Sequence, residues 1–134
     1  MDWREAFFKY DYGETKDLLK SFITLVSATL VLSITFSEKI IDIHKAILRV
    51  KRMMVAAWVF FIVALIVSGA SMCFIAAEAG CVIYGQIPVF ACRGGLYALI
   101  SWALIIISGG CYVIGLVLMA LSARAKIMES EHNE

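Results

Sequence analysis

Charge is scarce in this sequence, and what there is lies towards the ends. Asp, Glu, Lys and Arg make up 17% of the 134 residues, against about 25% in an average soluble domain. Residues 53–123 hold two formal charges, Glu78 and Arg93. A soluble fold cannot cover that much apolar surface with so few polar groups. The composition therefore excludes a soluble enzyme, a disordered tail and a conventional nucleic-acid binder. Proline occurs once, at Pro88, which removes the main helix breaker and favours long uninterrupted helices. Histidine occurs twice, at His44 and His132, neither with a second ligand at helical spacing. The four cysteines form no C-x-x-C pair, so no zinc site is expected.

Catalytic signatures are missing too: there is no zincin, Walker, dinucleotide or serine-hydrolase motif. No charge occupies the middle of an apolar segment, which argues against a proton relay, a voltage sensor or a charge-coupled transporter. The chain reads as a non-enzyme without cofactor or metal. Its net charge of +1 gives no reason to expect a nucleic-acid partner. The first twenty residues mix acids and bases and do not read as a secretory leader. Asp2 occupies the place of the glycine that myristoylation needs, so internal apolar helices are expected to do the targeting.

What is abundant is apolar side chain, 62% of the sequence, gathered into three stretches. The expected fold is an all-α integral membrane protein forming a single membrane domain. Its transmembrane helices are placed at 18–36, 53–77 and 96–123. An interfacial arm at 1–17, an amphipathic helical linker at 37–52, a loop at 78–95 and a polar tail at 124–134 complete it. The second and third stretches are each about 25 residues, roughly 37 Å as helix, enough to span with some tilt. The first is shorter. Its uninterrupted part, residues 22–36, is roughly 22 Å long against a bilayer core of about 30 Å. Thr24, Ser27, Thr29, Ser33 and Thr35 fall inside it, but such hydroxyls can bond back to helix carbonyls and are tolerable in lipid.

Lysine and arginine counts pull the other way. With three spans the two sides carry five and seven, almost no bias; with two they carry eleven and one, as the positive-inside rule prefers. Hydropathy outweighs this, because the first segment is too apolar to sit in water. In the linker, Ile40, Ile43, Ile47 and Val50 recur at helical steps between Lys39, Asp42, Lys45, Arg49 and Arg52. Such a helix either packs on a copy of itself or lies on anionic headgroups. Trp3, Phe7, Phe8, Tyr10 and Tyr12 make the arm an interfacial anchor, with Gly13 expected to interrupt it and Thr15 or Asp17 to cap the first span. Trp58, Tyr97 and Trp102 fit interfacial belts or simple packing.

Small residues mark the helix faces. Ala57, Ala64, Ser68 and Ser71 share one strip of the second span; Gly94, Ser101, Ser108, Cys111, Gly115 and Ser122 share one of the third. Small side chains let backbones approach, so the bland reading is packing of these two helices on each other. The first helix carries two hydroxyl strips. Ser21, Thr24, Ser27 and Thr35 lie on one side, and Thr29, Ser33 and Ser37 on the other. Two strips fit neighbours on both sides, or one face on a water-filled lumen, for which Ser21, Thr24, Ser27 and Thr35 are the candidate lining. The bland alternative is hydroxyls tolerated within a bundle. Cys73 and Cys111 read as small packing residues. Cys81 and Cys92 bracket a turn containing Tyr84, Gly85, Gln86 and Pro88; they form either a disulfide, if the loop is outside the cytoplasm, or two reduced thiols.

The run KSFITLVSATLVLSITFSE at 20–38, followed by Ala57-Trp58 opening the second span, resembles small uncharacterised bacterial three-span membrane proteins. Some of these look like the membrane-perturbing effectors of antiphage defence systems. The resemblance covers roughly residues 16–75. It implies a bacterial cytoplasmic membrane and a channel-forming or permeability-raising oligomer, whose trigger comes from another protein or from the short soluble segments. The competing expectation is an accessory subunit that anchors a protein partner through the linker or termini. On either reading the immediate surroundings are the lipid bilayer.

Overall fold

Long helices dominate the computed structural model, which describes residues 3–41, 47–84 and 95–132. A short helix α1 (Trp3–Ala6) runs through a π-helical segment, Phe7–Tyr12, into α2 (Gly13–Phe36), and a second π-helical turn follows at Ser37–Ile41. Helices α3 (Leu48–Tyr84) and α4 (Leu96–His132) complete the chain. Three segments, Gly13–Lys39, Leu48–Cys81 and Leu96–His132, are long and apolar enough to cross a membrane. The protein is an all-α integral membrane protein.

The buried positions explain how the helices pack. Along α3 they are Val50, Met54, Ala57, Phe61, Ala64, Ser68, Ser71, Ile75 and Glu78, in alternating steps of four and three, with Ala79 beside the last. Helix α4 buries Ser101, Ser108, Gly115 and Ser122, one every seven residues. On α2 the buried set is Thr15, Leu19, Val26 and Ser33. A repeat averaging 3.5 residues is the pattern of left-handed helix packing. Helices α3 and α4 are antiparallel: Ser71 meets Ser101, Ser68 meets Ser108, Phe61 meets Gly115, and Val50 and Met54 meet Ala125. Because α4 presents only Ser and Gly at its fully buried positions, the two backbones come close, and dispersion and hydroxyl contacts replace the hydrophobic force that lipid does not supply. Helix α2 packs against α3 over a much smaller contact.

Several expected boundaries move. Gly13 does not interrupt the arm. Its backbone is helical (φ −63°, ψ −50°), no side chain caps α2, and Thr15 is buried instead of capping. One glycine costs a helix only about 1 kcal/mol, too little to break one whose inner face is being packed. Among the described residues the linker expected at 37–52 is shared between its neighbouring helices. Ser37–Ile41 prolongs α2, while residues 48–52 form the first turns of α3, with Val50 buried and Ile47 exposed. Ile43, Asp42, Lys45 and His44 lie outside the described residues. Helix α3 runs on to Tyr84, so Glu78 belongs to it and not to a loop. The tail is helical to His132, as expected of a stretch without Gly or Pro and rich in good helix formers. At 37 residues each, α3 and α4 are about 55 Å long and outreach a bilayer core of about 30 Å.

Candidate functional site

Hydroxyl groups are the chemistry available within the spans, and the fold divides them into an inner and an outer set. The inner set joins α3 to α4. Ser108 Oγ donates to the Ala64 carbonyl at 2.8 Å. Its single proton being used there, Ser68 Oγ is the donor in the 2.7 Å contact between the two serines. Ser71 and Ser101 are related almost symmetrically: their hydroxyls stand 2.7 Å apart, and each also reaches the other's carbonyl, at 3.0 and 3.1 Å. All four serines are buried. In this environment an unpaired hydroxyl is costly, and crossing the interface satisfies each one. Ser122 is also buried but bonds back to the Leu118 carbonyl.

A second polar contact ties α2 to the hairpin. Thr29 Oγ1 donates to the Leu25 carbonyl at 2.8 Å, so Tyr112 supplies the proton in the 3.0 Å contact between Tyr112 OH and Thr29 Oγ1. The Tyr112 ring meets Phe22 edge-on at 5.6 Å and Phe61 at 5.8 Å. These rings surround a core of Val26, Phe61 and Ala64, against which Cys111 and Trp58 also pack. Nothing in the sequence singled out Tyr112; an aromatic in an apolar run carries no local signal, and its partner lies 83 positions away. Ser33 of α2 and Ser37 at the start of the following π-helical turn are buried too, and donate to the Leu30 and Ser33 carbonyls. The Thr29–Tyr112 bond is expected to contribute roughly 0.6–1.7 kcal/mol. A double-mutant cycle of Tyr112→Phe with Thr29→Ala, read by SDS-driven unfolding, measures it; additive losses would remove this contact from the docking of α2.

The outer set comprises three of the four candidate lumen residues. Ser21, Thr24 and Thr35 are exposed, and Ser27 is half-buried. Thr24 and Thr35 donate to the Lys20 and Val31 carbonyls at 2.9 and 3.1 Å, leaving their oxygens able to accept. The residues of the small strips, Ala57, Ala64, Ser68, Ser71, Ser101, Ser108 and Gly115, are buried where α3 and α4 meet, and Cys111 is half-buried and free. Gly94 lies outside the described residues.

At the α3–α4 turn, Glu78 is 5% exposed and its Oε1 accepts from the Gly95 N–H at 3.2 Å. Gly95 takes φ 77°, a conformation glycine adopts without strain, and its carbonyl receives Leu99 N–H as the first bond of α4. Cys81 is disulfide-bonded and Cys73 is free; Cys92 lies outside the described residues. Trp58 packs between Met54 and Phe61, with its indole N–H unpaired, so it acts as a packing residue and not as a belt. Trp102 is 47% exposed, as a belt residue would be. No group of three or more His, Cys, Asp or Glu side chains able to hold a metal occurs among the described residues. A pocket of about 130 Å³ lies where α2 meets the hairpin, lined by Leu18, Leu19, Phe22, Ser68, Ile105, Ser108 and Gly109. Its wall is almost wholly apolar because the Ser68 and Ser108 hydroxyls are bonded to each other. No family model, curated protein or solved structure matches the chain.

Proposed function

We propose that the chain assembles with copies of itself into an oligomer that forms a channel or otherwise raises membrane permeability, with α2 along the pathway. The role is non-enzymatic and suits a defence effector of a bacterial cytoplasmic membrane. The observation that carries it is the division of the hydroxyls. Within the spans, Ser68, Ser71, Ser101, Ser108 and Ser122 of the hairpin are buried, while α2 turns Ser21, Thr24 and Thr35 away from its own bundle. Hydroxyls facing outward gain nothing from lipid, and in a ring of subunits the same face borders water. Three helices enclose no aqueous path, so this reading requires an oligomer.

Purified protein in planar bilayers or dye-loaded vesicles is expected to conduct or leak. The Thr24→Leu, Thr35→Leu double variant is expected to silence it without altering expression or helicity. A monomer in mild detergent, or no conductance under any trigger, would sink the proposal. A second reading, an anchoring subunit, is favoured by the length of α3 and α4, whose charged ends extend beyond the apolar zone. It predicts retention of a soluble protein by the arm, linker or tail, and no current.

A further inference from the structure

Cations converge on one end of the bundle. Phe36 at the end of α2, Val50 and Met54 in the first turns of α3, and Ala125 near the end of α4 pack together, so the three helices leave the apolar zone at one level. Lys39, Arg49, Arg52, Arg124 and Lys126 flank that level. None of these five is paired with an acid among the described residues. Among the described residues Glu38 adjoins Lys39, and the other acids of this end, Glu129 and Glu131, follow about one turn further out.

Large apolar side chains share the same turns. Ile47, Leu48, Ile127 and Met128 are 53%, 63%, 63% and 60% exposed. Ile47 and Met128 flank an open groove of about 660 Å³ with Glu129 and His132. Apolar groups interleaved with cations just beyond a span suit the headgroup–acyl boundary, where the apolar groups sink and the basic heads meet phosphate. The opposite end is built differently. There Lys9, Lys16 and Lys20 stand among Glu5, Glu14 and Asp17, and Lys9 and Lys16 lie over the rings of Tyr10 and Tyr12.

We propose that this basic end binds the headgroups of anionic phospholipids, with Arg52 and Arg124 as central phosphate contacts and the four apolar side chains seated at the acyl boundary. The surface potential of a cytoplasmic leaflet then holds this end inside, whether the protein conducts or anchors.

Trp58 packs against Val50 and Met54 and reports on this end. A single-tryptophan form (Trp3→Phe, Trp102→Phe) is reconstituted in vesicles of phosphatidylcholine and phosphatidylglycerol, with bromine on the chains of one lipid or the other. Brominated phosphatidylglycerol is expected to quench Trp58 more effectively at equal mole fraction, with selectivity on the order of thirtyfold, the ratio that about 1 kcal/mol for each of Arg52 and Arg124 gives. Arg52→Gln with Arg124→Gln should bring the ratio near one, and the Lys pair at the same positions should keep most of it. Equal quenching in the parent form overturns the proposal whatever the variants do. So does selectivity that survives Arg52→Gln with Arg124→Gln, or that is lost instead on Lys9→Gln with Lys16→Gln.

Discussion

Replacing Gly115 with alanine is expected to destabilise the α3–α4 hairpin by about 1–3 kcal/mol, the cost of overpacking a close-packed interior. A Cβ at this position would stand 2.6 Å from Phe61 Cε1 and 2.8 Å from Cδ1. The ring has little room to yield, being fully buried among Val26, Ala64 and Tyr112. Helix propensity pulls in the opposite direction, favouring alanine by about 1 kcal/mol, so a net loss isolates the clash. Phe61→Leu in the Gly115→Ala background should recover part of the loss, although Phe61→Leu alone leaves a cavity and costs stability. A double-mutant cycle in SDS-driven unfolding therefore shows coupling of favourable sign. A Gly115→Ala protein as stable as the parent would mean that the ring does not fill this position.

The second large effect is expected at Ser101. Leucine there places a bulky side chain against Ser71, where the hydroxyls stand 2.7 Å apart and each also reaches the other's carbonyl. Separation of the helices costs dispersion along the seam as well as the hydrogen bonds, and the expected loss is about 3 kcal/mol. Ser101→Ala is the control. It removes the hydroxyl but keeps the approach, and should cost only about 0.6 kcal/mol, because Ser71 can turn back to a carbonyl of its own helix. Unfolding midpoints of the two variants separate steric from polar contributions. Equal losses would assign the seam's stability to hydroxyls and not to close approach.

The hairpin was largely legible in the sequence for a simple reason. In an otherwise apolar run, Ser and Gly recurring every seven residues have one economical use, the close approach of another helix, and the strips containing Ser68, Ser71, Ser101 and Ser108 face each other across α3 and α4. Helix ends were less legible. Gly13 and Glu78 resemble breaks when read locally, yet Gly13 remains helical and Glu78 sits inside α3 with Gly95 as its partner. Both outcomes depend on neighbours distant in sequence. The attachment of α2 was least legible, since Thr29 meets Tyr112 only after all three helices have packed. The outward Ser21, Thr24 and Thr35 were visible as a strip, but a strip does not say whether lipid, water or a second copy lies against it.

The seven-residue repeat of α4 also creates an ambiguity that the fold must resolve. Slide α4 along α3 by one repeat, about 10 Å, and Ser101, Ser108, Gly115 and Ser122 exchange places with almost no change in the size of what faces α3. Three of the four are serines, so most of the seam is blind to the slip. Phe61 is not. In the native register its ring lies where Gly115 has no Cβ; shifted by one repeat either way, it would meet Ser108 or Ser122 and collide. A single aromatic–glycine pair thus acts as the key that selects one alignment from several near-equivalent ones, and its loss would show as a mixture of hairpin registers before it showed as unfolding.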